Sequence, residues 1–278
     1  MKLYLKAIVI TLAAGVIGYL SHVGNWMGLE IGELRTFFAI SGVVYGIVSG
    51  FVLMQVLRNY GDLKAHISSE LNALQDYRDY LGLLDVDPQI VDDIRTRLME
   101  YVDSVISKEW PTMGDCNSTD PDTSDEMYRL LVATHRIEPT NTSDELAFKK
   151  MVDLFGEITT HRTRRLVAAG DELPPLLRHL ILFLTLIVIG VFTVIPFGSA
   201  ILGVILKVTV AFALSFIYLL IVDLNDPFAG AWRIRADLFR KLRERIKDHG
   251  SRPNGEMPAD DDAQPEQQDS PAPAAEPV

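Results

Sequence analysis

Charge is absent from long blocks of this chain. Residues 7–29 contain no Asp, Glu, Lys or Arg, and residues 36–57 contain none between Arg35 and Arg58. Residues 180–222 contain a single one, Lys207. Apolar runs of roughly 18 or more residues match the ~30 Å hydrocarbon of a bilayer. The 43-residue run would be about 65 Å long as one helix, so it reads as two spans folded at Ile195-Pro196-Phe197-Gly198. The pattern therefore predicts four transmembrane helices, at about 4–24, 36–57, 177–196 and 201–222. Lys2 and Lys6 ahead of the first run imitate a secretory signal, but no small-x-small cleavage site follows, and a retained helix is expected.

The polar stretch between the second and third spans has a helical period. Leu63, Ile67, Leu71, Leu74, Tyr77 and Leu81 recur at spacings of three and four, with only Gly61 as a candidate kink. The second span is thus expected to run on as one rod. A further helix opens with Asp87 as cap and Pro88 at its first position, buries Val91, Ile94, Leu98, Tyr101, Val102 and Val105, and ends at Trp110 before Pro111. Residues 111–123 read as a loop and 124–136 as a short helix. The run Thr142-Ser143-Asp144-Glu145 reads as a capping box for a longer helix that stops at Gly170. No strand pattern stands out, and the class is all-α.

Composition adds orientation. Lys and Arg cluster at 2 and 6, at 58 and 64, at 162–178 and at Arg233, Arg235, Arg240, Lys241, Arg243, Arg245 and Lys247, whereas the opposite loops carry only Arg35. The positive-inside rule then puts both termini and residues 58–176 in the cytoplasm. The net charge of −11 is weighted by residues 250–278, which hold seven acids, one arginine and six prolines and are expected to be disordered. The chain divides into a first span and outer loop (1–35), a second span (36–57), a cytoplasmic helical domain (58–176), a hairpin of spans (177–222), a turn and basic helix (223–249) and the tail (250–278).

Candidate chemistry is sparse. The six histidines show no i,i+4 pair, the single Cys116 excludes an internal disulfide, and no phosphate-binding glycine loop or nucleophile–base pattern appears. Neither enzyme, cofactor, metal nor nucleic acid is signalled. Gly42, Gly46 and Gly50 let helix backbones approach closely, within the chain or between chains. Val43, Ile47 and Phe51 form an apolar line beside them, facing lipid or an apolar constriction. Lys207 lies about 9 Å into the fourth span, where an ammonium either snorkels or faces a water-filled outer vestibule. Arg162, Arg164 and Arg165 are either a span's positive flank or a lipid-facing basic site. Asp223, Asn225, Asp226, Pro227 and Phe228 end the last span with carboxylates at the negative pole of its macrodipole, which demands donors or a cation. A structural turn fits better than a calcium site, which needs six to eight oxygens.

These residues resemble the bestrophin-like domain family, mostly bacterial membrane proteins similar to the bestrophin anion channels. The resemblance spans about residues 36–235 and rests on "YGIVSGFVLMQVLRNYGDL", "KEWPTM", "RTRRL" with "LPPLLRHL", and "DLNDPFAGAW". It implies four spans, long cytoplasmic helices and a homo-oligomer, a pentamer around one pore. Gly50-Phe51 is similar to the family's Gly-Phe pair, which makes Phe51, Ile47 and Val43 the neck. The turn at 225–228 resembles the Asn-Pro-Phe turn of bestrophins with one residue inserted. Where animal bestrophins continue into an acidic calcium clasp, Ala229-Gly230-Ala231-Trp232-Arg233 follows here. The expected protein is an oligomeric anion channel of a bacterial inner membrane, in contact with lipids and anions. The alternative is a non-conducting membrane protein whose helical domain binds a partner or lipid.

Overall fold

The computed structural model describes residues 16, 31–113, 124–171, 173–228 and 230–249. All of the predicted first span except Val16, together with Cys116 and the acidic tail, lies outside them. Among the described residues there are helices and no strands. Helix α1 (Ile31–Gly82) is 52 residues long and continues through Gly61 without a break. At about 1.5 Å per residue it is nearly 80 Å long. Beside the buried Leu71 and Ala73, its inward seam consists of Tyr45, Ser49, Val52, Val56, Leu63, Ile67, Glu70, Leu74, Tyr77 and Leu81. They follow a spacing that averages near 3.5, the period that keeps one seam facing a partner helix.

Helix α2 (Pro88–Ser104) begins as its sequence predicts: the Asp87 side chain accepts from the Gln89 N–H, and Pro88 occupies the first turn, where no N–H is needed. Its end differs. The helix does not stop at Trp110 but widens into a π turn, Val105–Glu109, and closes with one α turn, Trp110–Thr112. The π register is what admits Pro111. It shifts the backbone by one residue, with the Trp110 N–H reaching the Val105 carbonyl, and the Thr112 hydroxyl caps the Lys108 and Glu109 carbonyls. The same shift turns Glu109 and Trp110 toward the interior.

Helix α3 (Asp125–Thr134) is capped by Ser124. Helix α4 (Thr142–Gly170) starts one residue ahead of the predicted box: Asn141 is the cap, and Asp144 rather than Glu145 reaches back to it. The reason is tertiary. Asp144 is buried and accepts from the Asp85 N–H at 3.0 Å and the Thr140 hydroxyl at 2.7 Å, joining the end of α1 to the start of α4. The Asp85 N–H, the Thr140 hydroxyl and the other donors hold its carboxyl below the usual aspartate range. Asn59 meets Asp171 at the far end of α4, so α4 runs antiparallel along the lower half of α1.

Helices α5 (Pro175–Val194) and α6 (Ala200–Leu224) form a hairpin against the upper half of α1. Together with α1 they are the three described helices long and apolar enough to cross a membrane. The hairpin breaks at Ile195–Ser199 as predicted, and Phe197 folds back so closely on Gly203 that a Cβ there would lie 3.0 Å from the Phe197 Cβ. Helix α7 (Asp237–His249) returns to α1 and α2. Two cores result. One gathers Tyr45, Val52, Val56, Ile181, Val188 and Ile221 from the three apolar helices. The other joins α1, α2, α3, α4 and α7 around Leu74, Tyr77, Leu98, Met151 and Phe239.

Candidate functional site

The face of α1 opposite its packed seam is open along the apolar half. Val43, Ile47 and Phe51 are 62%, 56% and 74% exposed, two residues out of step with the buried Tyr45 and Ser49 and hence on the far side of the helix. Gly42, Gly46 and Gly50 lie beside them, and a Cβ added to any of the three would meet no described atom within 4 Å. Packing within the described chain therefore does not occupy this small-residue row. The neck line continues along α1 as Gln55, Arg58 and Asp62, a polar continuation whose two charges balance.

Lys207, in contrast, is buried. Its ammonium lies 5.8 Å from the ring centroid of Phe197, the residue that closes the hairpin. The side chain is thus held against the hairpin turn rather than stretched along an exposed helix face.

The basic run on α4 requires a correction. Arg162 and Arg165 do not face lipid; they point into the protein. Arg165 has 0% side-chain exposure and donates from Nε to Glu70 at 2.6 Å and from Nη2 to Glu109 at 2.7 Å. Arg162 donates to the other Glu109 oxygen at 2.9 Å, and the Tyr101 hydroxyl donates to Glu70 at 2.7 Å. Trp110 and Phe239 flank the Arg165 guanidinium at 6.0 and 5.7 Å. Two cations and two anions cancel inside the core, which is the condition under which buried charge is tolerated. Burial alone would lower the Arg165 pKa, but the Glu70 and Glu109 carboxylates more than offset it and hold the guanidinium charged. Burial, with the Glu70 carboxylate beside it, raises the Tyr101 phenol well above its ordinary value. Only Arg164 of the three is exposed, in a shallow groove with Asn59, Asp62, His66 and Asp171. Sequence reasoning passed over Glu70 and Glu109. Glu70 had a signal, since it occupies an inward position between Ile67 and Leu74 and so requires a buried cation.

The turn after α6 is held by hydrogen bonds. Asp223 accepts from the Ala231 N–H at 2.8 Å on one carboxylate oxygen and from the Trp232 N–H at 3.2 Å on the other. Asn225 accepts from Leu173 at 2.7 Å, the one N–H donor of the Leu173-Pro174-Pro175 entry to α5. The Asp226 N–H returns to the Asp223 carbonyl, the Pro227 carbonyl accepts from Ile234 at 2.8 Å, and Phe228 meets Trp110 edge-on at 5.7 Å. Gly230 passes so close that a Cβ would lie 2.6 Å from the Asp223 carbonyl oxygen. The turn thereby joins both apolar helices of the hairpin to the second core.

This geometry gives a stability prediction. Asp223→Ala should cost about 1 kcal/mol, since the freed N–H groups are near solvent. Gly230→Ala should cost more than about 1 kcal/mol, because a backbone oxygen cannot yield as a side chain can. Thermal unfolding should show both losses unchanged by calcium or chelator. A wild-type protein stabilised by micromolar calcium, with both variants insensitive, would instead make the turn a metal site.

Three helices long and apolar enough to cross a membrane, joined to a second helical core, give the described residues the make-up of a helical membrane protein. The sequence profile of the bestrophin-like domain matches residues 33–239, and the chain belongs to that family. Its fold is similar to crystal structures of a bacterial bestrophin homologue from Klebsiella pneumoniae. A tryptophan-to-alanine form of that protein has a TM-score of 0.72 at 13% identity, covering 91% of this chain and 99% of the other. A leucine-to-threonine form gives 0.71 at 13%, covering 89% and 100%. The form phased on zinc gives 0.69 at 12%, covering 88% and 98%. At these identities the likeness shows the fold alone. No curated protein matches the sequence significantly.

Proposed function

We propose that this chain is the subunit of a homo-oligomeric anion channel, a pentamer whose pore is lined at its neck by Val43, Ile47 and Phe51. The observation that carries the reading is the exposed face of α1, where the apolar line lies opposite the intrachain seam and a glycine row that no described residue covers lies on its flank. Neighbouring subunits approach along the glycines, and each contributes one apolar side chain per level to a ring that ions must pass with partial loss of hydration. The balanced Arg58 and Asp62 below the neck leave selectivity unassigned on that face; anion conduction is carried over from the family. Lys207, buried at the hairpin turn, supplies positive potential near the outer end of the pore. The stoichiometry has a direct check: the mass of the protein in nanodiscs should be a multiple of the subunit, five by this reading. A monomer would remove the pore.

In this reading the protein sits in a bacterial inner membrane with four spans, both termini and the second helical core in the cytoplasm. Cys116 should then resist a membrane-impermeant thiol reagent in intact cells and react once the membrane is opened. Labelling in sealed cells would reverse the orientation. The rival, a non-conducting protein that holds a partner, draws on exposed Tyr128, Leu131 and Val132 of α3. An oligomer covers such a patch without a separate partner.

A further inference from the structure

The basic segment after the last span lines a concavity that the channel reading does not use. Its volume is about 540 Å³, and Arg233, Arg235 and Arg240 converge on it beside Trp110, Phe228 and Asp237. Residues 233–235 belong to no helix or strand; Arg233 and Arg235 are exposed and line the concavity while Ile234 packs onto the second core. The Ile234 N–H is pinned to the Pro227 carbonyl, three residues beyond the end of α6, which keeps both arginines at the boundary of the apolar half.

The charge in this concavity is unbalanced. Arg240 is matched by Asp237 at 3.2 Å, whereas Arg233 and Arg235 have no carboxylate partner among the described residues. The aromatic wall is fixed: Trp110 donates to the Ile234 carbonyl and packs edge-on against Phe228 and Phe239. Two unpaired guanidinium forks over a rigid apolar wall suit a phosphate group carried on a less polar body, since the fork matches phosphate oxygens in a bidentate way. Basic pockets at this depth are where anionic head groups meet membrane proteins. A mere positive flank needs charge only, not a concavity with an aromatic wall.

We infer that Arg233 and Arg235, beside Trp110 and Phe228, form a binding site for a phosphate-bearing anion, supplied by an anionic lipid head group or by a soluble phosphate. The site does not depend on conduction, and its test leaves the pore untouched. The full-length protein in detergent would be exposed to phosphatidylglycerol or phosphatidylcholine and its retained lipid weighed by native mass spectrometry. A parallel sample would be titrated with inorganic phosphate while thermal unfolding is followed. Preferential retention of phosphatidylglycerol, reduced on the order of tenfold in Arg233→Gln/Arg235→Gln, would establish the lipid source. Equal retention of both lipids, with phosphate stabilising the wild type but not the variant, would establish the soluble source. Both side chains are exposed and unpaired, so the variant should keep the wild-type oligomer and melting temperature; if it does not, Arg235→Gln alone carries the comparison. No preference between lipids together with no effect of phosphate, or a folded variant that binds as the wild type does, would overturn the site.

Discussion

Glu70→Ala should cost the protein about 3–5 kcal/mol, the largest loss expected of any single substitution here. The substitution leaves two buried guanidinium groups, Arg162 and Arg165, sharing the one carboxylate of Glu109. It also leaves the Tyr101 hydroxyl without the acceptor it uses at 2.7 Å. Arg165→Met should be comparably damaging from the other side, because it isolates a carboxylate that has no exposure. The informative variant is the double one. Glu70→Leu with Arg165→Met removes one charge of each sign and leaves the Arg162–Glu109 pair intact. It should be less destabilised than the single losses of Glu70→Leu and Arg165→Met summed, by on the order of 1–3 kcal/mol. Denaturant or thermal unfolding of the purified protein, followed by helical circular dichroism, measures each variant. A Glu70→Ala protein within about 0.5 kcal/mol of wild type would show that the cluster is not the keystone described here.

That cluster also marks how far the sequence could be read. Periodicity gave α1 as one rod, the hairpin of α5 and α6, and the start of α2, because each rests on local spacing or on a cap within a few residues. The end of α2 was misread for a specific reason. Pro111 does forbid an ordinary α register, but a π turn resolves the conflict, and the turn is favoured because it brings Glu109 to Arg162 and Arg165. By local spacing a basic run before a span reads as its positive flank or as a lipid-facing basic site, and neither reading turns Arg162 and Arg165 inward. Arg165's partner Glu70 lies 95 residues away, and no local rule connects positions so far apart. The capping residue of α4 moved by one for a similar reason: Asp144 is claimed by Asp85 across the fold. The neck line was legible as a line. In the channel reading, what it faces is set by neighbouring subunits, which a single chain's spacing does not contain.

The turn at Asp223 shows the opposite case. A helix end with two acids demanded donors on electrostatic grounds, and Ala231 and Trp232 supply them from the main chain to Asp223. The small residues after Phe228 make sense in that light: Gly230 is where a side chain would meet the Asp223 carbonyl. A calcium clasp would need those carboxylate oxygens free. Here the segment that follows the span uses them to fasten itself down, and then presents Arg233 and Arg235 outward.

Flux through reconstituted vesicles tests the central claim. In the triple variant Val43→Ala, Ile47→Ala, Phe51→Ala, each ring loses most of its bulk and the cost of stripping water from an ion at the neck falls. All three side chains are exposed in the subunit, so their removal leaves both intrachain cores intact. The measurement is chloride efflux from liposomes holding equal amounts of wild-type or variant oligomer. A several-fold or greater rise in the variant is the result this account predicts. Unchanged flux with the oligomer preserved would contradict it and place these three residues against lipid.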